Sequence, residues 1–342
     1  MRALILDRYG KVEDSLLKIM EIDAPEISSD EILIKVSVCG ICHTEIDEIE
    51  NRRRSKLPIV LGHEIVGRVV KKGNKSNKHN IGDRVGVSWI YSSCRKCSFC
   101  NNGLENLCSQ FKATGCDENG GYAEYIKISE EYAYKIPPVF SDSETAPLLC
   151  AGTIGYRSVR LANINNGSNI GLFGFGASAH IAIQIIKKIY PQSKIFVFTR
   201  NNQPEHKILA QNLGADWIGI TEIDRPPEKL DYVIDFTPVW TPIVWALENM
   251  NSNGRLIINA IRKEEVDKKV LLDIDYATHI WCEKEIKSFA NVTRKDTEDF
   301  LKLASDLKVE PEVTEFNFNE ANQALILLKA GKINGAGVLK IY

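Results

Sequence analysis

Short apolar stretches punctuated by Gly, Asn and Asp fill the first 150 residues of the chain. This spacing is typical of half-buried strands, whose side chains alternate between two faces. No long stretch there has the 3.6-residue period of a helix. We therefore predict an antiparallel, barrel-like β domain, with strands at Glu31–Val38, Glu64–Lys71, Asp83–Trp89 and Tyr122–Ile128.

The pattern changes near residue 152, after which strand-like and helical stretches alternate. Such alternation implies parallel strands joined by crossover helices, and hence a doubly wound sheet of the nucleotide-binding kind. The predicted strands are Asn169–Phe173, Lys194–Thr199, Tyr232–Phe236 and Arg255–Ala260, and the intervening helices are His180–Ile189, Glu205–Leu213 and Pro242–Met250. The chain closes with predicted helices Thr297–Leu307 and Glu320–Ala330 and a strand Gly337–Ile341.

Composition and charge narrow the classes of function. The 342 residues are 44% hydrophobic and 26% charged, and the net charge is -2. The chain therefore lacks the basic surplus that would favour a nucleic acid or an anionic membrane as partner. The N-terminal apolar stretch is too short for a signal peptide, and no apolar run approaches a membrane span of about 18 residues. We expect a cytoplasmic protein, and we interpret the basic run Arg52–Lys56 as a solvated loop rather than a phosphate or nucleic-acid patch.

Four of the nine cysteines follow the spacing Cys94-x2-Cys97-x2-Cys100-x7-Cys108. A structural zinc takes four tetrahedral ligands, often all thiolate, and such short spacings place three sulfurs around one ion. The alternatives are free thiols, an iron–sulfur cluster or a disulfide scaffold, the last being typical of small secreted domains. We predict a structural zinc without an open coordination position.

A second group of metal-binding residue types is spread over three segments. A catalytic zinc needs three protein ligands and one open position, and Cys42, His63 and Cys150 can supply the three. Spacing alone does not link them, because buried cysteines are common and a single histidine is usually a satisfied core residue.

The stretch from Gly174 to Ala179 follows a predicted strand and opens a predicted helix as G-x-G-x-x-A. In this context the pattern indicates dinucleotide binding, with the pyrophosphate at the helix N-terminus near Gly174, Gly176, Ala177 and Ser178. The acid that would bind the ribose 2′-hydroxyl of NAD is missing from Phe198–Asn202. Thr199 and Arg200 could instead accept the 2′-phosphate of NADP, so we favour NADP. Alternatively, Arg200 faces solvent or covers the adenine.

Taken together, these motifs resemble those of the zinc-containing medium-chain alcohol dehydrogenases, over essentially the whole chain. The matching stretches are Gly40–Thr44, Gly62–Glu64, Trp89 with the four-cysteine lobe, Gly120–Tyr125, Cys150–Gly152 and Gly171–Gly176.

The resemblance implies an α/β protein with a GroES-like β-barrel catalytic domain at 1–151 and 288–342 and a Rossmann cofactor domain at 152–287. The structural zinc lobe would occupy about residues 90–112. It also implies two zinc ions per chain, an NAD(P)(H) cofactor and a homodimer or homotetramer.

The roles of single residues also follow from the resemblance. Cys42, His63 and Cys150 would bind the catalytic zinc, and Glu64 would lie behind the metal as a transient ligand. Thr44 would pass the substrate proton outward, and Asp47 stands where the family's relay usually ends in a histidine. In the same way, His43 would contact the cofactor pyrophosphate, and Trp89 would wall the substrate pocket.

The expected activity is hydride transfer between a primary or secondary alcohol and the nicotinamide, or the reverse reduction of an aldehyde. A polyol, sugar or threonine dehydrogenase of the same superfamily is the alternative. Those relatives typically have a glutamate at the third zinc-ligand position, where this chain has Cys150. A zinc-free quinone reductase does not fit the zinc motifs, and a non-catalytic zinc-binding protein would need only the four-cysteine lobe.

Overall fold

The computed structural model describes residues 1–201 and 203–342. The chain forms two compact units, one from residues 1–153 and 292–342 and the other from residues 154–291. Asn202, which ends the stretch of the predicted cofactor contacts, lies outside the described residues. Among the described residues, no helix has both the length and the apolar character that crossing a membrane requires.

The first unit is built on a curved, mostly antiparallel sheet in the order β10-β6-β5-β3-β18-β17, with β9 also paired to β3. The long strand β3 alternates between buried and more exposed residues from Glu31 to Val38, and its inward side chains Ile32, Ile34 and Val36 are fully buried. A smaller sheet has the order β2-β1-β4, and β7 pairs with β8. The strands are β1 Arg2–Leu6, β2 Lys18–Glu21, β3 Glu31–Ile41, β4 Ile59–Val60, β5 Ile65–Lys72, β6 Arg84–Val87, β7 Ile90–Ser92, β8 Lys112–Ala113, β9 Tyr125–Ser129, β10 Ala133–Lys135, β17 Val313–Asn317 and β18 Ala336–Lys340.

Helices also occur in this unit, and several are too short to give a helical period in the sequence. The longer α8 and α9 end within one residue of the predicted C-terminal helices. The start of α9 is also within one residue of the prediction, whereas α8 begins three residues earlier because Thr293 caps it. Cys150 lies in a π-helical turn, Leu148–Gly152, that directly follows α3. The helices are α1 His43–Ile49, α2 Ser98–Asn101, α3 Asp142–Pro147, α8 Arg294–Asp306 and α9 Ala321–Lys329.

The second unit is a parallel sheet in the order β13-β12-β11-β14-β15-β16. This is the strand order of the dinucleotide-binding Rossmann fold, and it confirms the predicted doubly wound sheet. Two predicted strands, Asn169–Phe173 and Lys194–Thr199, have the observed bounds. The strands are β11 Asn169–Phe173, β12 Lys194–Thr199, β13 Trp217–Ile220, β14 Leu230–Asp235, β15 Met250–Ile258 and β16 Glu285–Ser288, and the helices are α4 Thr153–Ala162, α5 Ala177–Ile189, α6 Pro204–Asn212 and α7 Thr241–Asn249.

Candidate active site and metal centres

Three separate segments of the first unit bring Cys42, His63, Glu64 and Cys150 together. Cys42 is the single residue between β3 and α1. His63 and Glu64 directly precede β5, and Cys150 lies in the π-helical turn. One ligand atom from each of the four lies within 4.8 Å of the others. Nε2 of His63 is 3.3 Å from Sγ of Cys150. The structure thus assembles the residues that the sequence could not link by spacing.

The donor set of this cluster fits zinc. Two sulfurs and one imidazole nitrogen are ligands that zinc prefers, and three protein ligands leave a fourth position open. Hydrogen bonding with the Cys150 sulfur, aided by His63, holds the pKa of the Cys42 thiol well below its usual range. Because the thiolate is the form that binds metal, a lowered pKa of this thiol favours metal binding.

Glu45 lies directly behind the cluster, although the sequence analysis did not single it out. Its Oε1 is 2.7 Å from Nδ1 of His63, and both side chains are buried. Its Oε2 accepts a hydrogen bond from the backbone N–H of Cys42 at 2.8 Å. A carboxylate in this position fixes the ring orientation of a metal-binding histidine and leaves Nε2 to face the metal. An acid three residues after Cys42, in the first turn of a helix, was the available signal.

Glu64 reaches the cluster because residue 40 is a glycine. A Cβ built on Gly40 would overlap the carboxylate of Glu64, so a larger residue would displace that side chain. The backbone N–H of Gly40 donates to the carbonyl of Glu64 at 2.8 Å. Burial raises the pKa of the Glu64 carboxyl well above its usual range, as expected for an acid with no water around it.

The predicted relay residues lie along α1. Thr44 is nearly buried, and its Oγ1 is 3.6 Å from Sγ of Cys42. Asp47 lies one turn further, with Oδ1 3.5 Å from Nη1 of Arg52. His43, the first residue of the helix, is exposed. The structure therefore places Thr44 at the cluster, Asp47 beside Arg52 and His43 at the surface.

Trp89 contacts the cluster through His63. The two ring centroids are 4.9 Å apart with an interplanar angle of 81°. One face of the indole is covered by the guanidinium of Arg53, whose Cζ is 4.6 Å from the centroid of Trp89. The basic run that we interpreted as a solvated loop thus includes one residue that packs against the site.

The four cysteines of the lobe also converge. Their ligand atoms lie within 4.8 Å of one another. Cys97 caps the short helix α2, and Cys100 lies within it. The backbone N–H of Cys97 donates to the sulfur of Cys94 at 3.3 Å, and that of Gln110 donates to Cys108 at 3.3 Å. Backbone N–H groups of Lys96 and Cys97 lower the pKa of the Cys94 thiol to about 6. Four sulfurs without an open position suit a structural zinc.

The predicted cofactor loop lies in the second unit, between β11 and α5. Gly174 has φ +82°, a conformation that favours glycine, and its N–H donates to the carbonyl of Phe198 at 2.8 Å. Gly176 caps α5, and Ala177 and Ser178 form its first turn, so that N–H groups point outward from the helix start. Thr199 ends β12 and is buried, whereas Arg200 is exposed.

The chain is similar in sequence to known alcohol dehydrogenases. Residues 28–138 match the alcohol dehydrogenase GroES-like domain. The chain is 36% identical to the probable alcohol dehydrogenase AdhA of Mycobacterium tuberculosis over 351 residues, which cover 100% of this chain and 97% of that protein. The chain belongs to the zinc-type medium-chain alcohol dehydrogenase family. This alcohol dehydrogenase is also 32% identical to an alcohol dehydrogenase of Geobacillus stearothermophilus, covering 100% of this chain and 99% of the relative.

Solved structures support the fold of this alcohol dehydrogenase. The alcohol dehydrogenase of Aeropyrum pernix superposes with a TM-score of 0.86 at 24% identity and covers 99% of this chain and 100% of that one. The Helicobacter pylori enzyme CAD, solved with NADP(H), gives a TM-score of 0.87 at 22% identity over 99% and 97% of the two chains. These structures confirm the predicted GroES-like and Rossmann architecture. The sequence relatives confirm the alcohol dehydrogenase function, and the non-catalytic alternative is set aside.

Proposed function

We propose that this alcohol dehydrogenase is a zinc enzyme with one catalytic and one structural zinc per chain, and that it prefers NADP(H). The observation that carries the proposal is the convergence of Cys42, His63 and Cys150 within 4.8 Å, beside a carboxylate that orients the histidine. The second zinc rests on the equally close group of four cysteines in the lobe.

Each residue of the cluster then has a definite task. A zinc ion held by Cys42, His63 and Cys150 would polarise the oxygen of an alcohol or a carbonyl as a Lewis acid. Thr44, whose hydroxyl both donates and accepts, would bind the substrate oxygen and take its proton. Asp47, one turn along α1, would receive that proton and pass it to water, while Glu64 would remain behind the metal as a transient ligand.

The cofactor preference rests on the end of β12. Thr199 is 2% exposed, and its Oγ1 has no hydrogen-bond partner among the described residues. Arg200 follows at the surface, and the residues from Phe198 to Asn201 include no acid. A 2′-phosphate would accept a hydrogen bond from the hydroxyl of Thr199 and pair with the guanidinium of Arg200, a group that binds phosphate well. The pyrophosphate would lie at the start of α5, at Gly174, Gly176, Ala177 and Ser178.

The substrate class that we propose is a small primary or secondary alcohol, or the corresponding aldehyde or ketone. A polyol, sugar or threonine dehydrogenase remains the alternative. Cys150 in the third ligand position argues against it, because those relatives typically have a glutamate there. We also propose a homodimer or homotetramer, supported by the exposed edge strand β16, in which Ile286 is 44% exposed. A cytoplasmic location is supported by the absence of disulfides among the nine cysteines.

The test measures zinc content and aldehyde reduction by the purified protein, with NADH and NADPH, on benzaldehyde and a short aliphatic aldehyde. We expect two zinc ions per chain and a clear preference for NADPH, which Arg200→Ala reduces by about 10- to 100-fold because a charge-assisted contact is lost. A preference for NADH would contradict the 2′-phosphate assignment and keep the activity. No turnover by protein with two zinc ions would favour the polyol or sugar alternative.

A further inference from the structure

The indole of Trp89 has almost no surface to offer a substrate. The residue is 2% exposed, it packs nearly perpendicular to the ring of His63, and one of its faces is covered by Arg53. Arg53 itself is only partly buried. Of Trp89 and Arg53, it is therefore Arg53 that has surface left for a ligand. The surface that this pair offers beside the metal cluster is cationic rather than apolar.

The guanidinium of Arg53 has weak partners inside the protein. Its Nε donates to the sulfur of Cys116 at 3.3 Å, and the Trp89 ring lies beneath it. Sulfur is a weak hydrogen-bond acceptor, and a guanidinium carries five N–H donors in a fixed fork. Among the described residues, no carboxylate forms an ion pair with Arg53. A partly desolvated cation with unfilled donors is suited to a planar anion.

Asp47 and Glu48, on the neighbouring helix α1, do not serve as ion-pair partners of Arg53. Asp47 pairs with Arg52, and its backbone carbonyl accepts the N–H groups of Arg52 and Arg53. Glu48 is fully buried, neither of its carboxyl oxygens has a hydrogen-bond partner among the described residues, and burial raises the pKa of the carboxyl well above its usual range. Lys56 follows in the same loop, and its backbone N–H donates to the carbonyl of Cys116 at 3.0 Å, which helps to fix the loop.

The loop that carries Arg53 is well anchored. Tyr9 donates its hydroxyl to the carbonyl of Ser55 at 2.6 Å, and the Ser55 hydroxyl donates to Cys116 at 3.6 Å. The Cys116 thiol donates to the carbonyl of Arg54 at 3.7 Å. A side chain on an anchored loop needs less ordering when a ligand binds, so its contribution to specificity is larger.

We propose that Arg53 is a specificity-determining residue that pairs with a carboxylate at the far end of the alcohol or aldehyde. The guanidinium and the zinc ligand His63 contact the same indole ring, so the carboxylate and the reacting carbon would be separated by a short chain. The substrate class is thus a short oxo acid or hydroxy acid. This inference rests on the proposed alcohol dehydrogenase chemistry and narrows its substrate.

The experiment compares 4-oxobutanoate with 4-methylpentanal, in which a neutral isopropyl group of similar shape replaces the carboxylate. The enzymes are the wild type, Arg53→Met and Arg54→Met. Arg54 is exposed in the same loop and serves as the matched control. Zinc content and kcat/KM are measured for all three, and binding of 4-oxobutanoate is measured by calorimetry.

We expect the wild type and R54M to prefer the oxo acid. R53M should lose about 10- to 100-fold in kcat/KM and in affinity for it, with turnover of 4-methylpentanal and zinc content retained. Turnover of both aldehydes without a preference in the wild type would overturn the inference and leave the proposed function intact. Equal loss of both activities in R53M would assign Arg53 a structural role and also overturn it. If no aldehyde is reduced, the proposed function fails, and the calorimetric comparison still decides whether Arg53 binds the carboxylate.

Discussion

The two candidate metal centres of the first unit are built in opposite ways. The four-cysteine lobe takes all its ligands from one stretch, Cys94 to Cys108, and its thiols are mostly half-buried. Its sulfurs are held by backbone N–H groups of the same loop. The catalytic cluster takes its ligands from residues as far apart as Cys42 and Cys150, and it is held by a buried carboxylate.

This difference separates a local site from a site that depends on the whole domain. A loop with backbone donors can bind its metal with little help from the rest of the chain. A buried cluster requires that β3, α1 and the π-helical turn come together first, and its charged groups need a partner because burial of a lone charge costs much free energy. Glu45 is that partner, since it contacts both the imidazole of His63 and the backbone of Cys42.

The largest expected effect follows from removing a ligand of the cluster. In Cys150→Ser the catalytic zinc loses a thiolate, and we expect kcat/KM to fall by about 10³-fold or more, since the Lewis acid supplies several kcal/mol. The zinc content should fall from two to one per chain, with the lobe still loaded. Elemental analysis and aldehyde reduction measure both quantities.

Cys282→Ser provides the control for that experiment. Cys282 is exposed in the second unit and belongs to neither group of ligands. It should keep both zinc ions and full activity. If C150S kept two zinc ions and normal turnover, the assignment of the cluster as the catalytic metal site would be wrong.

A smaller effect is expected from the carboxylate behind the cluster. In Glu45→Gln the contact with His63 loses its charge, and we expect activity or zinc affinity to fall by about 10- to 100-fold. Glu48→Gln is the matched control on the same helix, because Glu48 is also buried and neither of its oxygens has a hydrogen-bond partner among the described residues. E48Q should resemble the wild type, and an equal loss in both variants would argue against a special role for Glu45.

The same contrast explains what could be predicted from the sequence. The lobe was predicted from spacing alone, because its ligands are neighbours in the chain. The strands Asn169–Phe173 and Lys194–Thr199 were predicted with their observed bounds, because both are apolar runs in the middle of a sheet. The edge strand β16 was missed, since its residues are exposed and give no apolar pattern.

The catalytic cluster needed the resemblance to a known family, because no local rule connects Cys42 with Cys150. Glu45 and Arg53 were missed for a related reason. Their roles come from contacts with His63 and Trp89, which lie on other strands and loops. The sequence also gives no signal that the guanidinium of Arg53 lies over Trp89, the predicted wall of the substrate pocket.

The smallest predicted effect concerns the attachment of the lobe. Glu105 lies between two of the lobe cysteines and is 2% exposed, and its Oε1 accepts hydrogen bonds from the backbone N–H and Nε of Arg294 at 2.8 and 3.1 Å. In Glu105→Gln we expect the free energy of unfolding to fall by about 1–3 kcal/mol, because Arg294 at the start of α8 loses a buried charged partner.

Glu298→Gln on the same helix is the control, since Glu298 is an exposed acid that pairs with Lys78 at 3.4 Å, and such pairs contribute about 0–1 kcal/mol. Urea unfolding and zinc content measure the outcome. Loss of the structural zinc in E105Q would mean that metal binding by the lobe also depends on contacts with the rest of the domain. The two centres would then differ less than the spacing of their ligands in the sequence implies.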